Sequence, residues 1–216
     1  KIKPTRVILK NISMKKIVVS FRFVVIVFFA LVVSSYCIAQ NPKKSGFAKG
    51  ADVGWLPQME VTGYKFYDKD GTEKDCLQLL KDRGINSIRL RVWVNPNDDK
   101  ASGHCSKDET IVMALRAKNM GMRVMINFHY SDSWADPAKQ FKPKAWEKHS
   151  FTELLDDVYN HTFDVISSLK KAGVTPEWVQ VGNEIPGGML WPDGSTDNWK
   201  QLGQLLNKGY DAVKAV

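Results

Sequence analysis

From residue 47 onward the apolar positions fall into two alternating rhythms. A period of two marks residues 85–94, where Ile88, Leu90 and Val92 alternate with Arg89, Arg91 and Trp93. The same period marks 122–130, where Val124, Ile126 and Phe128 alternate with Asn127 and His129. It returns over 176–184, where Val179 and Val181 alternate with Gln180 and Glu184. A weaker strand is expected over 47–55, carrying Asp52. Between these runs the spacing widens to three and four, which predicts helices over 72–84, 107–121, 151–173 and 198–216. The clearest is 151–173, with Phe151, Leu154, Leu155, Val158, Tyr159, Phe163, Ile166 and Leu169 on one face. Thr72 reads as a cap of the first helix, and Gly84, Gly121 and Gly173 as stops.

Four strand-then-helix units predict a parallel sheet with helical crossovers. Strand parity then separates two such folds. A doubly wound sheet is covered by helices on both faces, so both faces should be apolar. Here one parity is apolar and the other carries arginine, asparagine, histidine and glutamate toward the C-terminal strand ends. That is the pattern of a (β/α)8 TIM barrel, whose inner face turns polar at the rim that holds the active site. On this parity Glu184 shares the inner face with Gln180, Asn183 lies beside it at the rim, and Pro186 and the glycines close the strand. A barrel takes about 250 residues, whereas 40–216 hold four units and Val216 falls inside an amphipathic repeat. Residues 40–216 are therefore expected to be the N-terminal half of a barrel domain.

Composition changes the picture at the N-terminus. Residues 14–39 have the layout of a secretory signal peptide: Lys15, Lys16 and Arg22 flank an apolar run from Phe23 to Val33, and small residues lead to Ala39. The run is short for a membrane span, so cleavage after Ala39 is expected, against an uncleaved anchor or a lipid-modified Cys37. Residues 1–13 precede Met14 and read as a non-structural leader. Seven of the 31 Lys and Arg lie in 1–39, where no Asp or Glu occurs, so the rest carries 24 basic residues against 23 acidic. The formal charge of +8 thus belongs to the leader, and no case remains for a nucleic-acid or anionic-membrane partner. After the signal, Cys76 and Cys105 remain, as one disulfide or as two buried thiols. All seven Trp follow residue 39, as core bulk or as stacking surfaces for flat ligands.

If Asp52, Arg89, Arg91, Asn127, His129 and Glu184 converge on one rim, the two inward arginines need acidic partners. Glu184 can serve one of them, and a second carboxylate from the missing half would fit well. Two carboxylates across a pocket are the equipment of glycoside hydrolysis, one as acid/base and one as nucleophile or base. Each residue also has a plainer reading: Arg89 and Arg91 as structural ion pairs, His129 as a satisfied core histidine, Asp132 and Trp134 as loop formers, Asn183 as a backbone bridge. His104, His149 and His161 suggest no chemistry.

Four motifs, "GADVGW", "RLRVWVNP", "MINFHYSDSWADPAKQ" and "WVQVGNEIPGGMLWP", together resemble glycoside hydrolase family 53, the endo-β-1,4-galactanases, from about Phe47 to Val216. The resemblance implies a (β/α)8 enzyme that cuts the β-1,4-galactan side chains of pectin with retention of configuration. It implies Glu184 as acid/base, Asn183 as the residue holding the sugar 2-hydroxyl, Arg91 as the arginine that contacts the nucleophile, and His129 as an active-site support. Asp52, Trp93, Asp132 and Trp134 resemble substrate-contacting positions. The family's nucleophile is a Glu on a later strand, outside this sequence. No cofactor is implied here; calcium, where relatives bind it, uses later loops. The expected partner is the polysaccharide, bound by an exported monomer with no nucleic acid and, after signal cleavage, no membrane. The competing readings are another retaining barrel hydrolase acting on a β-glucan or β-mannan, or a half-barrel inactive by itself.

Overall fold

The computed structural model describes residues 46–97 and 103–216. The expected leader at 1–13, the expected signal peptide at 14–39 and Cys37 lie outside the described residues. Four strands, β1 (Gly50–Asp52), β2 (Ser87–Val92), β3 (Arg123–Phe128) and β4 (Trp178–Val181), form one parallel sheet in the order β1-β2-β3-β4. Each strand lies beside its predecessor. A doubly wound sheet reverses its order at a switch point; sequential order throughout is the topology of the (β/α)8 barrel, here with four of its units.

The connecting helices are α1 (Leu56–Val61), α2 (Cys76–Asp82), α3 (Lys107–Asn119), α4 (Phe151–Lys171) and α5 (Trp199–Ala215). Two begin with reciprocal capping boxes, Ser106 with Glu109 and Ser150 with Glu153, which satisfy amides that the first helical turn leaves unpaired. The predicted stops hold: Gly84, Gly121 and Gly173 follow the ends of α2, α3 and α4 with φ of 86°, 73° and 87°. Three expectations need correction. The cap of α2 is Asp75, whose side chain accepts from Gln78 N, and not Thr72; residue 73 instead bridges to Tyr67. Helix α1 and a short hairpin, β5 (Gly188–Met189) with β6 (Gly194–Ser195), were not foreseen. The buried stripe of α4 runs through Leu154, Val158, Thr162, Val165, Ile166 and Leu169, while Phe163 is exposed.

The strand register fixes two faces. Asp52 pairs across to Arg89, Met125 and Trp178, and Arg91 to Asn127 and Gln180, so these share the inner face. The other parity, Ile88, Leu90, Val92, Val124, Ile126 and Phe128, is buried in the apolar core with Leu154, Val158, Leu169, Leu202 and Leu205 of the helices. Removing a Val, Leu or Ile side chain of this kind from water stabilises by about 1.5–3 kcal/mol. Helix α5 approaches the sheet where Gly209 stands: a Cβ there would lie 2.5 Å from Val181 Cγ1 and 2.9 Å from Tyr130 Oη. Helix α1 buries only Leu56 and is tied outward by Arg116 of α3, which donates to Glu60 and to Asp75. Cys76 and Cys105 are both free thiols. Among the described residues no helix is long and apolar enough to cross a membrane, and no cluster of His, Cys, Asp or Glu is arranged to hold a metal.

Candidate active site

The C-terminal ends of the four strands bring the predicted residues to one rim. Asp52 ends β1 and meets both arginines of β2, at 2.5 Å from Arg89 Nη1 and 3.3 Å from Arg91 Nη1. One carboxylate thus answers two guanidinium groups. The expectation that Glu184 serves one of them is corrected here: the arginines' ion pairs run to Asp52. Gly54, two residues on, donates its amide to Asp52 at 3.1 Å. It has to be glycine, because a Cβ there would lie 2.9 Å from Arg91 Cγ.

Arg89 reaches across the sheet, donating to Asn183 Oδ1 at 2.8 Å and to Gln180 Oε1 at 3.2 Å. Asn183 Oδ1 also accepts from Asn127 Nδ2 at 2.8 Å, and Asn183 Nδ2 donates to Ala135 O at 2.7 Å. Strand β4 ends at Val181, earlier than the alternation suggested. Gly182 then turns the chain with φ 90°, which swings Asn183 inside and leaves Glu184 exposed at the rim with φ 46°. The parity expectation, Glu184 on the inner face with Asn183 beside it at the rim, is corrected: Asn183 is the buried one and Glu184 the exposed one, because the turn sets their directions and not the pleat. Among the described residues the non-glycine positions with positive φ are Cys105, Tyr130, Glu184 and Leu190. Two of them directly follow the site residues His129 and Asn183, and local strain of this kind persists only where surroundings hold it.

Arg91 is 4% exposed. Its guanidinium carbon sits 4.1 Å from the ring centre of Trp134 and 5.9 Å from that of Trp93, a cation–π arrangement. Trp93 is wholly buried and edges against both His129 and Trp134. His129 Nδ1 accepts from Ala135 N at 3.2 Å, so its proton belongs on Nε2. Burial, reinforced by Arg91 and Arg89, pushes His129 down to about 3, and the ring is neutral. Arg91 Nε and Nη2, Trp93 Nε1 and His129 Nε2 are buried and meet no acceptor among the described residues.

Asp132 accepts from Asn95 N at 2.9 Å and from Lys144 N at 2.8 Å, so both its oxygens hold the loop that carries Trp134. Trp134 itself is half-buried. Sequence reasoning missed Gln140, which lies in the same loop and is 2% exposed. A buried glutamine in a polar segment carries no periodicity that would reveal it.

Residues 48–216 match the sequence profile of Glycosyl hydrolase family 53. The chain is 42% identical over 182 residues to the "uncharacterized protein in bgaB 5'region" of Niallia circulans, covering 81% of this chain and 49% of that protein. It is 39% identical over 166 residues to the arabinogalactan endo-beta-1,4-galactanase of Thermothelomyces thermophilus, covering 77% of this chain and 48% of the relative. Among solved structures, the Ignisphaera aggregans GH53 catalytic domain superposes with a TM-score of 0.76 at 44% identity, over 81% of this chain and 50% of that one. The chain spans about half the length of these relatives.

Proposed function

The chain belongs to glycosyl hydrolase family 53, and from that membership we propose that it carries the acid/base side of a secreted, retaining endo-β-1,4-galactanase acting on the galactan side chains of pectin. The observation that supports this most is the group of unmatched buried donors on Arg91, Trp93 and His129. Each buried donor left without a partner costs roughly 1–3 kcal/mol. Several such donors side by side favour a ligand group with many lone pairs, and a carboxylate has about four acceptor sites. Beside a guanidinium, that carboxylate stays ionised, which is the state a nucleophile needs. The described residues do not supply it.

In this reading Glu184 gives its proton to the glycosidic oxygen as the C–O bond breaks, while the second carboxylate bonds to the anomeric carbon. Water then attacks the glycosyl ester and returns a proton to Glu184, so that two inversions restore the configuration. Asn183 has one Nδ2 hydrogen committed to Ala135 O, and the other is free to meet the sugar 2-hydroxyl. Trp134 offers ring surface to the sugar, with Asp52, Trp93 and Asp132 holding the groups that touch it.

Glu184→Gln tests the acid role. It is expected to lower kcat/KM on galactan by about 10²–10⁴-fold and to spare kcat/KM of a dinitrophenyl galactoside, whose leaving group needs little proton, while kcat on both falls because the second step loses its base. Equal loss of kcat/KM on both substrates overturns the assignment. Reducing-sugar release from β-1,4-galactan, set against β-glucan and β-mannan, tests the substrate; silence on galactan with release from another polymer reassigns it. Residues 40–216 expressed alone are expected to show no turnover. Export is tested by N-terminal sequencing of the mature protein, expected to begin at Gln40.

A further inference from the structure

We propose that Gln140 is the positioning residue that sets the backbone of Glu184, an inference that rests on Glu184 being the acid/base. The side-chain nitrogen of Gln140 donates to Asn183 O at 2.7 Å and to Glu184 O at 3.1 Å. These two carbonyls belong to the peptide planes on either side of the Glu184 Cα. Holding both planes from one point fixes φ and ψ of Glu184 together, and with them the direction in which its side chain leaves the backbone.

That grip matters because Glu184 has φ 46°, a conformation costing roughly 1–3 kcal/mol for a residue with a Cβ unless its surroundings impose it. The same nitrogen donates to Asp136 O at 3.2 Å, inside a turn closed by paired Asp136 and Lys139 backbone bonds of 3.0 Å. Gln140 is itself anchored. Its carbonyl accepts from Trp191 N at 2.7 Å, Phe141 bridges to Trp191, and Lys142 Nζ pairs with Asp193 at 2.5 Å. Trp191 Nε1 in turn donates to Gly187 O at 2.9 Å, beyond Glu184 on the same loop. The acid/base loop is therefore strapped at both ends to the segment 140–142, and Gln140 is where the strap meets the carboxylate's own residue. No charge on Gln140 takes part in the chemistry; it acts through Glu184.

Gln140→Met keeps the length of the side chain and removes the donor. In the whole enzyme it is expected to lower kcat on galactan by about 10- to 100-fold, the cost of an acid displaced by an ångström or so. KM on galactan should stay within about threefold, and kcat/KM of the dinitrophenyl galactoside, which reports the first step alone, should change little. Combined with Glu184→Gln it should add almost nothing to the loss on galactan, since both act through one proton transfer. Equal loss of kcat/KM on the two substrates, a change confined to KM, or full additivity overturns the proposal. If Glu184→Gln itself shows no difference between substrates, the acid/base reading fails instead; if it does and Gln140→Met does not, only Gln140 falls. Gln140→Asn, which keeps the amide one methylene short, covers the case where the methionine variant does not fold. Its smaller loss should show the same preference for galactan, and loss shared equally by both substrates counts against Gln140.

Discussion

His129 and His161 lie on opposite sides of the same strand end, and each buries an Nε2 that has no hydrogen-bond partner among the described residues. The two regions differ in what surrounds that atom. His161 is enclosed edge-on by Phe128, Tyr130 and Trp146, with ring centres 5.7, 6.2 and 6.0 Å away. His129 stands among Arg91, Trp93 and Trp134, and Arg91 and Trp93 carry further N–H groups with the same unmet need. One orphaned nitrogen in an aromatic layer is a packing compromise. Several donors together, on Arg91, Trp93 and His129, with Asn127 Oδ1 as one unpartnered acceptor on the same face, describe the shape and charge of what they would bind.

The contrast predicts that substitutions on the two faces should separate activity from stability. The largest effect is expected from Arg91→Met in the whole enzyme. Activity on galactan should fall by at least about 10²–10³-fold through lost charge stabilisation, while the melting temperature stays level, because Asp52 keeps its 2.5 Å pair with Arg89 and the two unpartnered Arg91 donors are removed. Steady-state kinetics with a thermal melt checks both; a large fall in melting temperature with activity kept would break the contrast. On the other face, Leu154→Ala should cost about 2–5 kcal/mol of stability in a denaturant titration, with kcat/KM unchanged below the transition.

A smaller effect separates the histidines by pH. Burial lowers His161 to about 4 and His129 to about 3. A depressed histidine is neutral when folded and protonated when unfolded between its folded value and about 6.5. In that window the unfolded chain binds more protons, so stability rises with pH and is lost as pH falls. Each group contributes a slope of at most about 1.4 kcal/mol per pH unit. His161→Phe should therefore flatten the acid limb between pH 6.5 and about 4 without touching activity at neutral pH. Denaturant midpoints measured across that range would show it; an unchanged slope would place His161 in contact with water. Least of all, Phe163→Ser should shift stability by no more than about 0.5 kcal/mol, because Phe163 is 39% exposed. A loss as large as that of Leu154→Ala would return Phe163 to the core.

The sequence was legible where physics is periodic. Alternation in β2 and β3 located Arg89, Arg91, Asn127 and His129 on the inner face; the register confirms the shared side of the first three, and His129, just past β3, joins them through its contacts with Trp93 and Trp134. It failed where a single backbone turn takes over. Past Gly182 the pleat no longer directs side chains, so Asn183 went inward and Glu184 outward to the rim. Helix α1 escaped because only Leu56 of its six residues is buried, leaving no stripe to read. Thr72 looked like a cap because it precedes the helical pattern, yet Asp75 stands closer to the first turn and holds its amide. The partner of the arginines was misassigned because a carboxylate on a neighbouring strand is close in space but 37 residues away in the chain from Arg89.

Phe128, His129 and Tyr130 occupy alternate sides at the end of β3, the aromatic pair toward the core and the histidine toward the rim. A one-codon deletion or insertion within β3 would exchange these sides at a stroke, putting imidazole into the apolar layer and a phenyl or phenol ring among the arginines. Such a change spares the reading frame and alters one amino acid, yet it inverts every later position of the strand. In β3 the gene can therefore change letters but not their number.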